Sequence, residues 1–483
     1  MTDQQGQSAS RRGSVNAVVS MIGLSSQQLS AFVITLLAAR YLTAAEYGVY
    51  TLSVVFVEFV IMLTYTGFFH FVVNSDADDT SVLSTMFWVL TGIGAIGGGL
   101  IFIFADVLAN VFDAPRLAPV LRWLGALQPF ASMIGWGSAA LTRAGMMRRY
   151  FLCVGGSNFG ALFVGILALI YWQSVFALVA FRAARIALAL AMFFFSVPER
   201  PKFVFDAALA RKAAGYASGL YGARLLTFFS NFGTDLILAF IFSTAESGLY
   251  RFANRLAMAT VEIVAQPLRS FSLKSFGQQS RKGQSLDPVF ANFFGAGTLL
   301  IGGVAATVMV LGGAVVDTMF RTEYQAAIIA VQALSIVAAA RVTQSMVEPI
   351  FAARGNTRVA MYNNLGLTTM ILISILIFAP QGFQTLAIAQ AVLQVLSVPI
   401  TLLVIRRWGR IDIGPGLKRG GKAIVLVAIY AVALAGFYLL VSQSGLTEAW
   451  ALIASIGFAV VFGLSLAFVG LKWRVLNLSI FSD

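Results

Sequence analysis

Cysteine and histidine each occur once in this 483-residue chain, as Cys153 and His70. A lone cysteine excludes a disulfide framework and any cysteine-based metal site. A lone histidine excludes multi-histidine metal clusters, and a Ser/His/Asp constellation would have to use His70 itself. Charge is scarce as well: Asp, Glu, Lys and Arg make up 11% of residues against 59% hydrophobic, far outside the range of soluble domains. The sequence therefore predicts neither metal nor cofactor. The glycines Gly92, Gly94, Gly97, Gly98 and Gly99 follow no strand, so they read as close-packing or bending positions in a helix and not as a nucleotide fingerprint. Asp76-Ala-Asp-Asp79 has the acidic spacing of metal-dependent glycosyltransferases, but with no nucleotide-binding region around it the segment reads as a solvated turn.

What the chain has in abundance is apolar runs long enough to cross a bilayer as helices, since about 20 residues suffice. About fourteen are predicted: 15–38, 47–73, 82–105, 118–141, 150–171, 174–195, 213–241, 248–273, 289–316, 325–352, 360–379, 383–405, 423–442 and 448–470. The first is too long and too polar (Ser25, Ser26, Gln27, Gln28) for a cleaved signal peptide. Connecting segments alternate in Lys and Arg, with 22 in one set and only Arg40, Arg116 and Arg321 in the other. By the positive-inside rule the basic set is expected to face the cytoplasm, with both termini on that side. This asymmetry absorbs the net charge of +13 without invoking nucleic acid. The expected organisation is an all-α polytopic membrane protein. It comprises a cytoplasmic tail (1–14), six helices (15–200), six more (201–405), a basic cytoplasmic loop (406–422), two further helices (423–470) and a second tail (471–483).

The two sets of six are related by a repeat. Tyr41-Leu-Thr-Ala-Ala-Glu-Tyr-Gly-Val-Tyr50 lies over Ile241-Phe-Ser-Thr-Ala-Glu-Ser-Gly-Leu-Tyr250, offset by 200 residues. Ala45/Ala245, Glu46/Glu246, Gly48/Gly248 and Tyr50/Tyr250 coincide, each block joining the first and second helix of its set. A weaker echo pairs Leu141-Thr-Arg-Ala-Gly145 with Ala352-Ala-Arg-Gly355. Six is even, so both copies enter the membrane from the same side and form a parallel repeat. With this topology, the Ala-Glu-x-Gly-x-Tyr turn and its echo, the whole chain resembles the polysaccharide-transporter branch of the MATE-like (MOP) exporter superfamily. That branch holds the Wzx-type oligosaccharide flippases and is related to the lipid II flippases. The resemblance implies two six-helix lobes in a V around a central cavity that opens alternately to each side.

Eight arginines lie within the apolar stretches: Arg122, Arg182, Arg185, Arg224, Arg251, Arg255, Arg269 and Arg341. An arginine at the bilayer centre costs about 2.5–3.5 kcal/mol even on an insertion scale. Arg122, Arg251 and Arg269 are near enough to helix ends to snorkel. Arg182, Arg185, Arg224, Arg341 and, at intermediate depth, Arg255 need a wet cavity or a buried partner. Glu58, Asp235, Glu262 and Glu348 are too few to neutralise all eight. Arg255 and Glu262, and Glu262 and Arg269, share helix faces and are possible ion pairs. Arginine's planar fork suits phosphate oxygens and never deprotonates, so the group reads as an anion pathway. Gln28, Gln332, Asn363 and Gln390 are candidate sugar-binding side chains, with interhelical hydrogen bonding as the alternative for each. Glu58, His70 and Asp235 are candidates for ion coupling.

Together these expectations describe a non-enzymatic flippase of the bacterial inner membrane. It would carry a polyprenyl-diphosphate-linked oligosaccharide from the inner to the outer leaflet for exopolysaccharide, capsule or O-antigen assembly. Its partners would be that substrate, membrane lipid and the polymerase and chain-length-control proteins of the same pathway, with no nucleic acid. The rival readings are a cation-coupled multidrug exporter of the same superfamily and a membrane-embedded polysaccharide polymerase or glycosyltransferase.

Overall fold

The repeated turn is the clearest place to see sequence become structure in the computed structural model, which describes residue 23 and residues 26–476. Helix α1 (26–41) is followed by α2 (Ala44–Asn74), and α9 (Ala207–Ile241) by α10 (Thr244–Arg281). At the start of α2, the Glu46 amide donates to Thr43 Oγ1 at 3.2 Å and the Thr43 amide donates to Glu46 Oε2 at 3.1 Å. At the start of α10, Ser243 and Glu246 make the same two bonds at 3.2 and 3.1 Å. The shared Glu thus belongs to a capping box, which satisfies amides that a helix start would otherwise leave bare. The shared Gly has a packing reason. A Cβ on Gly48 would collide with the Thr244 carbonyl and one on Gly248 with the Ala44 carbonyl, so the two helix starts approach reciprocally through their glycines.

The weaker echo has a physical basis too. Gly145 and Gly355 take φ of +69° and +68°, the left-handed conformation that glycine adopts without a Cβ penalty. Around them the Gly145 amide bonds to Thr142 O and Met146 to Leu141 O; Gly355 bonds to Ala352 O and Asn356 to Phe351 O. Both are Schellman turns. The adjacent arginines clamp backbone. Arg143 donates to the carbonyls of Val72 (2.6 Å), Ser75 (2.7 Å) and Ala77 (3.0 Å) and to Asp79 Oδ1 (2.7 Å). Arg354 donates to those of Gly409 (3.1 Å) and Arg410 (3.4 Å). The 75–78 turn has no Lys or Arg of its own, and its cation comes from Arg143.

The remaining helices are α3 (Asp79–Ile103), α4 (Ala105–Val111), α5 (Leu117–Ala126), α6 (Gln128–Arg143), α7 (Met147–Trp172), α8 (Val175–Ser196), α11 (Asp287–Met319), α12 (Ile328–Ser345), α13 (Val347–Ala353), α14 (Thr357–Phe378), α15 (Phe383–Gly409), α16 (Gly414–Ser442) and α17 (Glu448–Lys472). Among the described residues ten helical segments are long and apolar enough to span a membrane, which makes this a multi-pass membrane protein. Two differences from the sequence expectation stand out. The spans predicted at 118–141 and 325–352 are each broken, at Leu127 and Met346, with Pro129 and Pro349 in the first turn of the second piece. Proline has no N–H for the helix ladder and clashes with the carbonyl four residues back. The basic segment 406–422 is almost wholly helix ends, with 410–413 as its only non-helical residues. The predicted tail 1–14, the beginning of the first span and residues 477–483 lie outside the described residues.

By packing, the chain divides into Met1–Gly248 and Leu249–Asp483. In the first unit α2 packs on α3, α6 and α9, α3 on α5 and α6, and α7 on α8. Phe68, Met86, Trp136 and Phe193 centre one of its cores. Helix α9, which the repeat assigns to the second set, sits here because small residues allow close approach: a Cβ on Gly67 would meet Ala217. Gly94 and Gly98 likewise seat α3 against Ser132 and Gly125, and Gly97 against Val60, whereas Gly92 and Gly99 face open space. In the second unit α11 packs on α12, α16 and α17, and α15 on α12 and α14, over a core of Phe276, Phe290, Phe293 and Phe351. The two helices outside the repeat, α16 and α17, therefore belong to this unit through α11.

Candidate substrate-binding site

Each unit gathers one group of the charges that the sequence sets within apolar stretches, and a repeat-related tyrosine belongs to each. In the first unit α8 carries Arg182 and Arg185, one turn apart, and α2 carries Glu58 and Tyr50. Arg182 Nη2 donates to Glu58 Oε1 at 2.8 Å; the arginine side chain is 6% exposed and the glutamate 30%. Arg185 is half-buried, and the charged or polar groups that act on it are Arg182, Glu58 and Tyr50. Two guanidinium groups thus share one carboxylate. Glu58 neutralises Arg182, which leaves Arg185 as the excess charge.

In the second unit the corresponding group spans α10, α12 and α15. Glu262 and Arg269 form a loose ion pair at 4.0 Å, the i, i+7 spacing bringing them together on one face of α10. Arg341 on α12 is exposed, and Glu262, Tyr250 and Arg269 act on it electrostatically. Tyr250 Oη donates to Gln390 Oε1 on α15 at 2.6 Å, and both residues are buried. Again two arginines face one glutamate, with Arg341 the one not bonded to it. Tyr50 and Tyr250 are the site residues that charge counting misses. Their signal was in the repeat, whose last matched position they occupy.

The other candidates are scattered. Arg224 is exposed on α9 and Arg255 half-buried on α10. Gln28 is half-buried on α1 and Asp235 half-buried on α9. Asn363 on α14 keeps its Nδ2 buried with no hydrogen-bond partner. Gln332 opens into a groove of about 460 Å³ between α12 and α15, whose other lining residues, among them Ile336, Ile388 and Val392, are apolar. His70 is half-buried near the end of α2, edge-on to Phe69 with ring centroids 5.6 Å apart. It lies about 18 Å along the helix from Glu58, so the two do not form one site. Arg122 pairs with Asp106 at 2.5 Å, and both side chains are exposed.

The architecture is that of the MATE-like transporters of the MOP superfamily. The solved structure of a lipid II flippase, MurJ, in an inward closed conformation superposes with a TM-score of 0.72 at 13% identity, covering 95% of this chain and 100% of that one. An inward-facing multidrug resistance MATE family transporter of the MOP superfamily gives 0.62 at 14% identity over 84% and 98%. The chain belongs to the family described as polysaccharide biosynthesis protein, which residues 37–329 match. A curated relative, the succinoglycan biosynthesis transport protein ExoT of Rhizobium meliloti (strain 1021), is 22% identical over 260 residues. That match covers 53% of this chain, and the chain spans about half the length of the relative, 52%.

Proposed function

We propose that this protein is a flippase for a polyprenyl-diphosphate-linked oligosaccharide, moving it from the inner to the outer leaflet of the bacterial inner membrane by alternating access. The fold alone is shared by lipid flippases and drug exporters, so the choice between them rests on charge. In each unit a pair of intramembrane arginines faces a single glutamate. A positive interior repels organic cations and suits a diphosphate, which the arginine fork can hold with two parallel bonds. Each unit would offer the diphosphate a ligand of its own, Arg185 in the first and Arg341 in the second, with Arg224 and Arg255 as secondary ones. Gln28, Gln332, Asn363 and the Tyr250–Gln390 pair would meet sugar hydroxyls. Glu58, held by Arg182, is better suited to setting local charge than to carrying an ion, which leaves His70 and Asp235 for any coupling. With both termini cytoplasmic, outward passage of two negative charges would gain about 4.6 kcal/mol per 100 mV of membrane potential.

The family match supports a place in polysaccharide export, and the named relative is a transport protein of such a pathway. Polymerase and chain-length-control proteins are the proposed neighbours, and the protein performs no covalent chemistry on its cargo. The test is reconstitution in liposomes with a fluorescent lipid-diphosphate oligosaccharide. The protein should expose it on the opposite leaflet without changing its mass. Arg185→Ala and Arg341→Ala should slow the step at least tenfold at unchanged protein level, and lysine at either position should rescue in part. Extrusion of ethidium-like cations with no effect on the lipid diphosphate would overturn the proposal in favour of a drug exporter. A product heavier by sugar units would identify an enzyme.

A further inference from the structure

The first unit carries an open groove that the transport reading does not use. About 570 Å³ in volume, it lies between α3, α6 and α8 and is lined by Phe87, Met133, Trp136, Ala183, Ala187 and Phe194 among others. Its lining is almost wholly apolar, and the one nitrogen or oxygen on these side chains, the Trp136 indole nitrogen, donates its N–H to the Leu83 carbonyl at 2.7 Å. From Ala183 to Phe194 the groove follows α8 for eleven residues, about 16 Å. One leaflet of hydrocarbon is about 15 Å deep, half of a core of about 30 Å.

One end of the groove is polar and positively charged. The Arg200 guanidinium lies 5.6 Å from the centroid of the Phe194 ring, which lines that end. The segment carrying it is fastened beside the mouth: the Lys202 amide donates to Ser84 Oγ at 3.0 Å, and the Lys202 carbonyl accepts from Trp88 Nε1 at 3.1 Å. Arg149 of α7 reaches the carbonyl of Ser196, the last residue of α8, at 3.4 Å. Glu199 is the acid in this segment, and it is engaged by the Thr80 hydroxyl at 3.1 Å. Phe203 is 95% exposed yet stacks on Trp88 with centroids 5.3 Å apart, as aromatic side chains do at headgroup level. Arg200 and Lys202 are both exposed, so their cationic groups are available to a ligand.

We infer that this groove binds one anionic phospholipid, with an acyl chain along α8 between α3 and α6 and its headgroup phosphate against Arg200 and Lys202. The length matches one acyl chain, the walls are almost wholly apolar, and the two cations follow the end of α8, where a headgroup phosphate would sit if the chain ran along that helix. Arginine and lysine beside a membrane surface attract anionic lipid, so a phosphatidylglycerol is favoured over a zwitterionic lipid.

Tryptophan quenching by brominated acyl chains tests this directly in the full-length protein. Trp123, Trp172, Trp408, Trp450 and Trp473, all exposed, are replaced by phenylalanine, which leaves Trp136 in the groove and Trp88 at its mouth. The protein is reconstituted in phosphatidylcholine vesicles containing ten mole per cent of dibrominated lipid. Dibrominated phosphatidylglycerol should quench at least twice as strongly as dibrominated phosphatidylcholine. The excess should vanish in Arg200→Gln/Lys202→Gln, whose substitutions are at exposed positions. Ala187→Phe, which fills the groove, should lower quenching by both lipids. Equal quenching by the two lipids, or an excess that survives loss of both cations, would overturn the assignment even if Ala187→Phe fails to fold. Displacement of the brominated lipid by an equal amount of polyprenyl phosphate would overturn it in favour of an isoprenoid site. None of these readings depends on transport, so the inference and the proposed function fail separately.

Discussion

Replacing Glu58 by glutamine leaves the shape of the first-unit charge group intact and strands a cation. Arg182 is 6% exposed, and its Nη2 lies 2.8 Å from Glu58 Oε1. With charge centres about 4 Å apart and an effective dielectric constant of about 20, the attraction is roughly 4 kcal/mol. Removing one partner of a buried pair costs about 3–5 kcal/mol because the other charge stays desolvated. Glu58 is partly solvated, which places Glu58→Gln near the lower end, about 3 kcal/mol of destabilisation. Arg182→Gln should cost less, about 2 kcal/mol, since the carboxylate left behind can be hydrated. The double variant removes both charges and should cost less than the sum of the two, by a coupling of about 2 kcal/mol. Unfolding in mixed micelles titrated with sodium dodecyl sulfate, followed by tryptophan fluorescence, measures all three. Additivity within about 0.5 kcal/mol, the behaviour of independent sites, would refute the pairing and return Arg182 to the pool of substrate ligands.

Gly48→Ala and Gly248→Ala should each lower stability by about 1–3 kcal/mol, the range for overpacking, because the new Cβ would collide with the carbonyl of Thr244 or Ala44; Gly92→Ala, facing open space, should be neutral or mildly stabilising in the same unfolding assay. Arg143→Ala removes four hydrogen bonds from the 72–79 turn and should raise its amide exchange and cost about 3 kcal/mol, at a net of about 1 kcal/mol per bond with some solvent replacement. Arg143→Lys should recover only part of this. For topology, single cysteines at the exposed positions Asp76, Lys282 and Lys418 should be shielded from an impermeant thiol reagent in intact cells, and those at Arg116, Glu323 and Gln443 should react, with Cys153 first removed. A reversed pattern would turn the whole chain over in the membrane.

The membrane class, the approximate positions of most spans and the repeat were legible in the sequence. Hydrocarbon thickness and the cost of a desolvated charge act on each segment by itself, so a linear reading captures them. The repeat was also the best guide to the candidate site, since the matched Glu, Gly and Tyr mark a helix cap, a close approach and a residue of each charge group. Tertiary structure decided what one-dimensional spacing cannot contain. Glu58 and Arg182 are 124 positions apart and pair only because α2 and α8 share a unit. Which of two neighbouring arginines is neutralised depends on angstroms of side-chain reach. Helix α9 joined the first unit because small residues happened to face one another. The breaks at Leu127 and Met346 had proline as a cue, but a proline inside a span can end a helix or, like Pro267 in α10 and Pro399 in α15, be carried within it. The packing around each proline makes that choice, and it exists only once the chain has folded.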